Sequence, residues 1–455
     1  MKTERGKSMK KFVWFLLVST LLVLLISACS NDDNEQDVQE SQGENTDTNE
    51  GVIEIDFWSA TNPTQDAFWK KVAEEFNAEQ DNIQVNVSQM RETPTSEATI
   101  QSAIAGGEAP VFSENISRGF AAQLAKSEAL VSLNTLEGWE ELLESRKMSE
   151  TVKPWRFSDD NQYVLPIYSN PMLFGWRVDI LNELGFEEMP QTYSEVLEVA
   201  DALKQEKSDT FFWAKSDLAD PTAWMRWFDF FMLYNAASEG NNFIEGNEFV
   251  ADDKAGQQVL DLMYQLQERD ALLVREASDP FETGLGIFTD IGPWTFAYWE
   301  EQFPEMKYGE TFDLALPPVP DNADTEEINT FADTKGVVIY ASATEEEQQA
   351  AVDFLTWVYS DPDRDLQWFE QTDLPPARDD LTTNESFQDF LDENPALVPY
   401  AEAVPYAVPP IDNPNFNELQ TLIGQEAFNP VVGGAKEPEE AWNDMKQAIE
   451  GGELE

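Results

Sequence analysis

The side chains that could carry out chemistry in this chain are mostly carboxylates and aromatic rings. Its 455 residues include 88 Asp and Glu, 14 Trp and 29 Phe, but a single Cys and no His. Without His, the chain cannot build a Ser-His-Asp or Cys-His nucleophile, a His-ligated zinc site or an imidazole pH switch. Among hydrolytic mechanisms, composition leaves open a pair of carboxylates, as in glycosidases. With so many acids such a pair arises by chance, so their abundance is no evidence for hydrolysis.

The formal net charge of −60 excludes nucleic acid as a partner and indicates a salt-rich environment. Nucleic acid is excluded because neutralising its phosphates needs a basic surface. A surface this acidic repels itself unless salt screens it, and at about 1 M salt the screening length falls to about 3 Å. The composition therefore favours a halophilic acidic protein.

The N-terminus has the layout of an export signal. Positive residues precede an apolar run over 12–28, and the small residues Ser27 and Ala28 stand directly before Cys29. The run reaches the short end of the membrane-spanning range, but the small residues at its end favour cleavage over a spanning helix. Ile26-Ser27-Ala28-Cys29 also resembles a bacterial lipobox. That resemblance implies a lipoprotein signal peptide over 1–28 and lipidation of Cys29, palmitate included, which anchors the mature chain to the extracytoplasmic face of the cell membrane.

Residues 29–51 are predicted to be a disordered acidic tether. The segment 30–51 is rich in Asp and Glu, lacks Lys and Arg, and has almost no apolar residues, so it cannot form a core. With one cysteine in the whole chain, no internal disulfide can form. The stability of the remaining residues must therefore come from buried apolar area.

The folded part is predicted to begin at Val52 with a strand, a helix and a second strand. Residues 52–58 are β-rich, 66–77 place apolar residues at helical spacing, and 83–87 alternate as a strand. This order is a βαβ unit, which implies a parallel sheet covered by helices. Similar units are predicted further on: a strand at 110–112, a helix at 119–130, an extended segment at 163–176, a strand at 335–340 and a helix at 345–359.

Two helix starts and one irregular segment complete the prediction. Thr192 is an N-cap with Glu195 in the capping-box position. Asp220 caps another helix with Pro221 at its first position, followed by an apolar stripe that begins at Trp224. The Pro-rich segment 395–415 is predicted to be mostly turns and extended chain.

A set of short motifs runs through the chain in a fixed order: the opening strand ending in Trp58, AGGEAPVF at 105–112, LPI at 165–167, LFGWRVDIL at 173–181, GF at 185–186, PQTYSEV at 190–196, GPW at 292–294, LP at 316–317, KG at 335–336 and LPPAR at 374–378. In order and spacing, these motifs resemble the extracellular solute-binding proteins of bacterial ABC importers, in the sugar-binding group that includes maltose- and glycerol-phosphate-binding proteins. The resemblance runs from about Ile53 to Ile449. The chain departs from the family pattern at Val111, at Trp176-Arg177 and at 287–289.

The resemblance implies an α/β protein with the two-lobed periplasmic-binding-protein type II fold, in which discontinuous lobes are joined by a hinge. Closing of the lobes over a ligand would signal loading to the permease subunits of the transporter. It implies a monomer that is not an enzyme, with no cofactor and no metal. The predicted crossings lie near Tyr168, Lys335 and Ala377, which gives lobe I as 52–168 plus 336–377 and lobe II as 169–335 plus 378–455.

A sugar offers apolar ring faces and a rim of hydroxyls, so its site needs flat aromatic side chains and fixed polar groups. In α/β lobes these groups come from loops at the carboxyl ends of strands. We select candidates by their position relative to the predicted strands and helices and by the family motifs. The predicted ligand-binding residues are Trp58, Asn62, Asn115, Arg118, Asn170, Trp224, Asp290, Trp294 and Tyr406. Trp294 is the strongest candidate, because its family counterpart stacks on ligand and Gly292-Pro293 would present it on a rigid turn.

Most of these candidates also have a plainer interpretation. Trp58 could pack under a loop, Arg118 could be a surface charge, Asn170 could be an ordinary hinge residue, and the stripe from Trp224 could be core. Two other functional classes stay open: a secreted carbohydrate-active enzyme that uses a carboxylate pair, and a structural surface lipoprotein. The ligand could also be a polyol, a sugar phosphate or a peptide, although the negative field disfavours anions.

Overall fold

The computed structural model describes residues 51–91, 95–221, 225–246 and 248–452. The predicted signal peptide, the tether up to residue 50, Cys29 and Trp224 lie outside these ranges. The strands are β1 Ile53–Ser59, β2 Ile83–Gln89, β3 Phe112–Ile116, β4 Leu165–Pro166, β5 Asn170–Pro171, β6 Leu173–Trp176, β7 Phe211–Ala214, β8 Ile244–Glu245, β9 Glu248–Phe249, β10 Leu272–Leu273, β11 Gly286–Ile291, β12 Asp313–Ala315, β13 Thr330–Asp333, β14 Gly336–Ile339 and β15 Ala407–Val408.

Helices separate most of these strands, which is the pattern of an α/β protein. In the described part of the chain, no helix combines the length and the apolar character needed to cross a membrane. The helices are α1 Pro63–Glu79, α2 Ser96–Gly106, α3 Arg118–Lys126, α4 Trp139–Ser145, α5 Val178–Glu183, α6 Tyr193–Glu206, α7 Phe230–Ala237, α8 Asp253–Glu268, α9 Thr295–Gln302, α10 Glu345–Tyr359, α11 Pro362–Thr372, α12 Glu385–Glu393, α13 Val398–Ala403, α14 Phe416–Ile423, α15 Asn429–Val432 and α16 Pro438–Glu450.

The strands form two five-stranded sheets, each with its own core. The first sheet has the order β2-β1-β3-β14-β4, and the second has the order β10-β7-β11-β6-β12. Apolar side chains are buried on both faces of each sheet, as expected where helices cover both faces. The separate cores correspond to the two lobes of the predicted fold, with a mixed α/β architecture.

The directions of the strands place several strand ends at one edge of each sheet. In the first sheet β14 runs against β3 and β4, while β1 runs with β2 and β3. The carboxyl ends of β1, β3 and β4 therefore share an edge with the start of β14. In the second sheet β6 runs against β11 and β12. The carboxyl ends of β7, β10, β11 and β12 therefore share an edge with the start of β6.

The chain passes between the sheets from these same edges. It leaves β4 and reaches β6 through β5, and it returns from β12 to β14 through β13. β5, β13 and β15 form a small three-stranded sheet at this point, here called the connecting sheet. A third passage follows α11, where Ala377 N donates to Ile167 O (3.1 Å) and Ile167 N donates to Lys335 O (3.1 Å). The three passages are thus hydrogen-bonded side by side. They join this edge of the first sheet to this edge of the second sheet, and the two edges are here called the facing edges.

Local sequence signals explain the best-predicted elements. β1, α1, β2 and α10 lie where the patterns indicate, and α10 spans the predicted residues 345–359. The capping box at Thr192 is formed as predicted, with Glu195 bonding back to the cap. An unpredicted second capping box, between Thr344 and Glu347, fixes the start of α10.

Three local predictions are wrong. The third strand runs over Phe112–Ile116, so Asn115 belongs to a strand and not to the loop after it. Pro221 is not helical, and the α-helix begins instead at Phe230, capped by Asp229. The segment 395–415 contains α13 and two 3₁₀ turns, because its prolines stand at the first helical positions, where a missing N–H costs nothing.

Candidate ligand-binding cleft

Trp294 lies at the facing edge of the second sheet, directly after β11 and its Gly292-Pro293 turn. A Cβ on Gly292 would lie 2.3 Å from the indole Cη2 and Cζ2 atoms of Trp294, so the ring rests against the backbone where only glycine leaves room. The side chain is nevertheless 51% exposed. The indole is therefore supported from beneath while much of its surface stays open, as a stacking platform requires.

An ion pair lies beside this platform on the neighbouring strands. Lys215 directly follows β7, and its Nζ lies 2.6 Å from Oδ1 of Asp290 in β11. Asp217 approaches the same ammonium at 3.9 Å, and the ring of Phe228 lies 6.0 Å from it. The pair is mostly shielded and its two charges balance, while Asp217 adds a negative charge at a longer distance, so the pair presents fixed hydrogen-bonding groups without an unpaired positive charge. Asp290 was predicted from the sequence as a site residue, whereas Lys215 was not.

Polar groups also gather at the facing edge of the first sheet. Asn115, near the end of β3, adopts a left-handed backbone conformation (φ 66°), and its Oδ1 accepts a 3.0 Å hydrogen bond from Lys335 Nζ. Lys335 stands just before β14, in the second passage between the sheets. The sequence predicts a crossing near Lys335, but the hydrogen bond between Lys335 and Asn115 was not predicted.

Glu114 is a buried acid behind Asn115. Its carboxylate accepts a hydrogen bond from Ala60 N at 2.5 Å, which ties the ends of β1 and β3 together. Burial raises the pKa of Glu114 to about 7; the charge of Asp66 acts in the same direction, while the Ala60 hydrogen bond and Lys335 oppose the rise. Glu114, inside β3 next to the facing edge of the first sheet, therefore changes its protonation state near neutral pH.

Asn170 is fully buried in the connecting sheet, opposite Asp333. Its Oδ1 has no hydrogen-bond partner among the described residues. Burial also raises the pKa of Asp333, and the charge of Lys335 opposes this. Asn115, Lys335, Asp333 and Asn170 thus form a polar group around the passages, but the side chain of Asn170 is closed to solvent in this conformation.

The remaining first-lobe candidates occupy different surroundings. Trp58 is partly buried in β1 and lines a hollow of about 730 Å³ with the end of β2 and with α2. Asn62 caps α1, and its Oδ1 accepts hydrogen bonds from Thr64 N (2.9 Å) and Thr64 Oγ1 (2.7 Å). The Oδ1 atom of Asn62 therefore serves as the N-cap acceptor of α1, a role that was not predicted from the sequence.

Arg118 is not a surface charge, since it is only 5% exposed. It donates to Arg156 O (2.5 Å) and Pro410 O (3.3 Å) and lies 3.9 Å from Asp412, so it ties α3 to the segment after β15. Burial lowers the pKa of Arg118, and Asp412 opposes this effect. Tyr406 is half-buried, and its carbonyl accepts from Asn329 at 3.1 Å.

The structure thus divides the predicted site residues into groups. Trp294 and Asp290 lie together on one facing edge, with Lys215, and Asn115 lies with Asn170 at the passages. Among the described residues, no hydrogen bond or ion pair joins Arg118 or Tyr406 to Asp290 or Lys215. The described ranges also contain no cluster of Asp, Glu and Cys arranged to hold a metal ion.

The chain matches the model of a known protein family. The family model for bacterial extracellular solute-binding proteins matches residues 71–397. An uncharacterized protein from Listeria monocytogenes EGD-e has a similar crystal structure: 53% sequence identity, 89% of this chain and 100% of that chain covered, and a TM-score of 0.87. A search of curated proteins found no match.

More distant structures share the fold. The cyclic α-maltosyl-1,6-maltose binding protein from Arthrobacter globiformis is 18% identical, with 88% of this chain and 99% of that chain covered and a TM-score of 0.74. The sugar-binding protein MalE from Xanthomonas citri is 16% identical, with 88% and 97% covered and a TM-score of 0.70. At such identities the likeness concerns the two-lobed architecture.

Proposed function

Because the chain belongs to the bacterial extracellular solute-binding proteins, we propose that it captures a mono- or oligosaccharide between its lobes and delivers it to an ABC importer. The observation that carries this proposal is the half-exposed indole of Trp294, held against Gly292 beside the Lys215–Asp290 pair. A flat apolar surface next to fixed polar groups matches the two kinds of surface on a sugar ring.

The electrostatics of the facing edges favour an uncharged ligand. Two cations at the edges, Lys215 and Lys335, already lie near acids: Lys215 pairs with Asp290, and the charge of Lys335 acts on Glu114 and Asp333. Little positive charge is left there to balance a phosphate or a carboxylate, and the net charge of the whole chain is −60. A neutral polyhydroxyl compound meets no such penalty, because its hydroxyls both donate and accept hydrogen bonds. The distant relatives from Arthrobacter and Xanthomonas, described as binding proteins for a cyclic maltosyl-maltose and for sugar, support this choice.

Loading would close the two lobes around the passages. We place lobe I at 52–168 plus 336–377 and lobe II at 169–335 plus 378–455, a division supported by the separate cores and by the hydrogen bonds that align the three passages. Rotation of the lobes about the passages would change the contacts that cross between them, such as the hydrogen bond from Arg118 to Pro410 O. In this proposal the protein works as a monomer, and the acylated Cys29 and the acidic tether hold it near the permease on the extracytoplasmic face of the membrane.

Calorimetric titration against mono- and oligosaccharides tests the proposal. We expect saturable binding of at least one sugar without turnover. Trp294→Ala should weaken that binding more than about tenfold, equivalent to about 1.4 kcal/mol, and leave the melting temperature nearly unchanged because the ring is half-exposed.

Trp357→Ala is the matched control, since this tryptophan packs against Phe76 and donates to Glu79 at the end of α1. The next strand, β2, starts there, at the edge of the first sheet opposite the facing edge. This variant should leave the affinity unchanged. Absence of binding to every sugar would contradict the proposal. Release of shortened products would indicate the carbohydrate-active enzyme instead, and a large loss of stability in Trp294→Ala would place Trp294 in the core.

A further inference from the structure

We propose that the segment 410–413, which follows β15, is a latch between the lobes. It holds lobe II against lobe I in the ligand-free protein, and it must release lobe I before a sugar can enter or leave. The latch therefore sets the rates of binding and release more than the affinity. This inference rests on the proposed function and on the lobe division given with it, and it specifies how the same cleft is regulated.

The two sides of the latch belong to different cores. Ile411 and Phe416 are buried in one core with side chains of β6 and β11, which are strands of the second sheet. Phe120 and Phe157 are buried in another core with side chains of β3 and β14, which are strands of the first sheet. The segment 410–416 therefore moves with lobe II, whereas α3 and the residues around Phe157 move with lobe I.

Asp412 directs its side chain across this boundary. Its Oδ2 accepts a hydrogen bond from Ser158 N (2.6 Å) and lies 3.9 Å from Nη2 of Arg118. Among the described residues these are the polar partners of the Asp412 side chain, and both belong to lobe I. Arg118 also donates to Pro410 O at 3.3 Å. Arg118 and Asp412 are 5% and 8% exposed, so water competes little with contacts that oppose separation of the lobes.

Gly119, which follows Arg118 in α3, lets the segment approach closely. A Cβ on Gly119 would lie 3.3 Å from Asn413 O and 3.5 Å from the Cβ of Phe416. The same Cβ would lie 3.6 Å from Ile411 O. The backbone of Gly119 is not left-handed, so no turn requires a glycine there. Glycine is a poor helix former, and close packing of the latch explains its presence in α3.

The contact is narrow, because a hollow flanks it on each side. One hollow of about 330 Å³ lies between Arg118 and α7, and another of about 240 Å³ lies between Phe157 and Pro414. The Nε atom of Arg118 has no hydrogen-bond partner among the described residues. Opening would give this donor to water. A loosely packed contact with an unsatisfied donor separates more easily than a continuous core, so the latch can open reversibly.

The position of the latch predicts an effect on rates. A ligand enclosed between two lobes enters and leaves only when the lobes separate. The latch stabilises the joined arrangement whether or not a sugar is bound, so weakening it speeds entry and release together. Affinity then changes little, because the ligand-free and the loaded protein lose the same contact.

Two variants weaken the latch from opposite sides. Asp412→Ala removes the side chain that contacts Ser158 and Arg118, and Gly119→Leu places a good helix former where the segment lies. X-ray scattering of the ligand-free protein should give both variants a larger radius of gyration than the wild type. Stopped-flow fluorescence with glucose, maltose, maltotriose, xylose and xylobiose follows the rates. For each sugar that binds, association and dissociation should both accelerate about tenfold, while Kd changes less than about threefold.

Arg156→Ala is the matched control, since this side chain is exposed and pairs with Asp160 inside lobe I at 3.8 Å. It should change neither the radius nor the rates, and melting curves confirm that every variant is folded. An unchanged radius in both latch variants, or a larger radius with unchanged rates, overturns the inference and leaves the proposed function intact. Lost affinity without a larger radius would place the segment in contact with the sugar and also overturns the latch. If no sugar binds, the proposed function fails, and scattering alone then decides: a larger radius supports the latch and an unchanged one overturns it.

Discussion

At the scale of single residues, the site depends on a glycine as much as on a tryptophan. Gly292 has no side chain, and the indole of Trp294 fills the space where a Cβ would stand. The turn therefore fixes the ring without enclosing it. A platform that is held before the ligand arrives loses less entropy on binding than one that must be ordered by the ligand.

The substitution Gly292→Ala tests this support. The added methyl would lie 2.3 Å from the ring atoms, so the indole must swing away. The backbone of Gly292 does not adopt a left-handed conformation, so alanine strains only the packing. We expect sugar affinity to fall about tenfold with little change in melting temperature.

Gly106→Ala is the matched control for this experiment, because nothing lies within 4 Å of a Cβ at that position. It should change neither quantity. Sugar affinity that survives Gly292→Ala would show that the position of the indole does not matter for binding.

The buried acid Glu114 gives a pH-dependent prediction. Its pKa rises from 4.5 to about 7 on folding, so between these values the folded state binds more protons than the unfolded state. The free energy of unfolding should therefore fall as the pH rises from about 4.5 to about 7 and level off above. The ionised carboxylate costs on the order of 3 kcal/mol.

Urea denaturation of the wild type and Glu114→Gln between pH 5 and 8 measures this contribution. The neutral variant should gain stability relative to the wild type as the pH rises, while the exposed control Glu144→Gln should follow the wild type. Parallel stability curves for the wild type and Glu114→Gln would contradict the raised pKa.

At the scale of secondary structure, elements with local signals could be predicted from the sequence. The capping box at Thr192 and the apolar spacing of α1 and α10 carry their own evidence. β3 was predicted too short because Ser113 and Glu114 are polar yet buried, which alternation of polarity cannot reveal. The start of α7 was misplaced because Asp229, and not Asp220, caps that helix. Arg226 holds Asp229 in a buried ion pair and also binds Asn429 from a distant part of the chain, which the Asp-Pro signal could not reveal.

The candidate site could be predicted less completely than the fold. Trp294, Asp290 and Asn115 came from family motifs near strand ends. Lys215 and Lys335 were missed as functional partners, because their hydrogen-bond partners lie 75 and 220 residues away in the chain. One signal in the sequence could have pointed to Lys215. It directly follows the end of a strand, at the edge where the passages leave the sheet.

At the scale of the whole molecule, the charge distribution dominates. Several of its few cations are used internally: Arg146 and Arg378 both bind the buried Asp365, and Arg226 binds Asp229. The acids on the surface are therefore left with few partners. Repulsion among them opposes the compact state and decreases as salt shortens the screening length.

Thermal unfolding in NaCl tests this consequence. We expect the melting temperature to rise steadily between about 0.1 M and about 2 M salt, by several degrees for a chain of this charge. A chain of ordinary net charge and similar size serves as the control for general salting effects. An unchanged melting temperature would remove the argument for a protein adapted to brine.

The proposed function requires an uncharged sugar between the facing sheet edges, stacked on Trp294. A crystal structure of the protein with the best-binding sugar of the calorimetric panel is the sharpest test. We expect a sugar ring against the open face of the indole, with hydroxyls in hydrogen-bond reach of Asp290 or Lys215. A sugar bound elsewhere, with the indole of Trp294 still open to solvent, would contradict it.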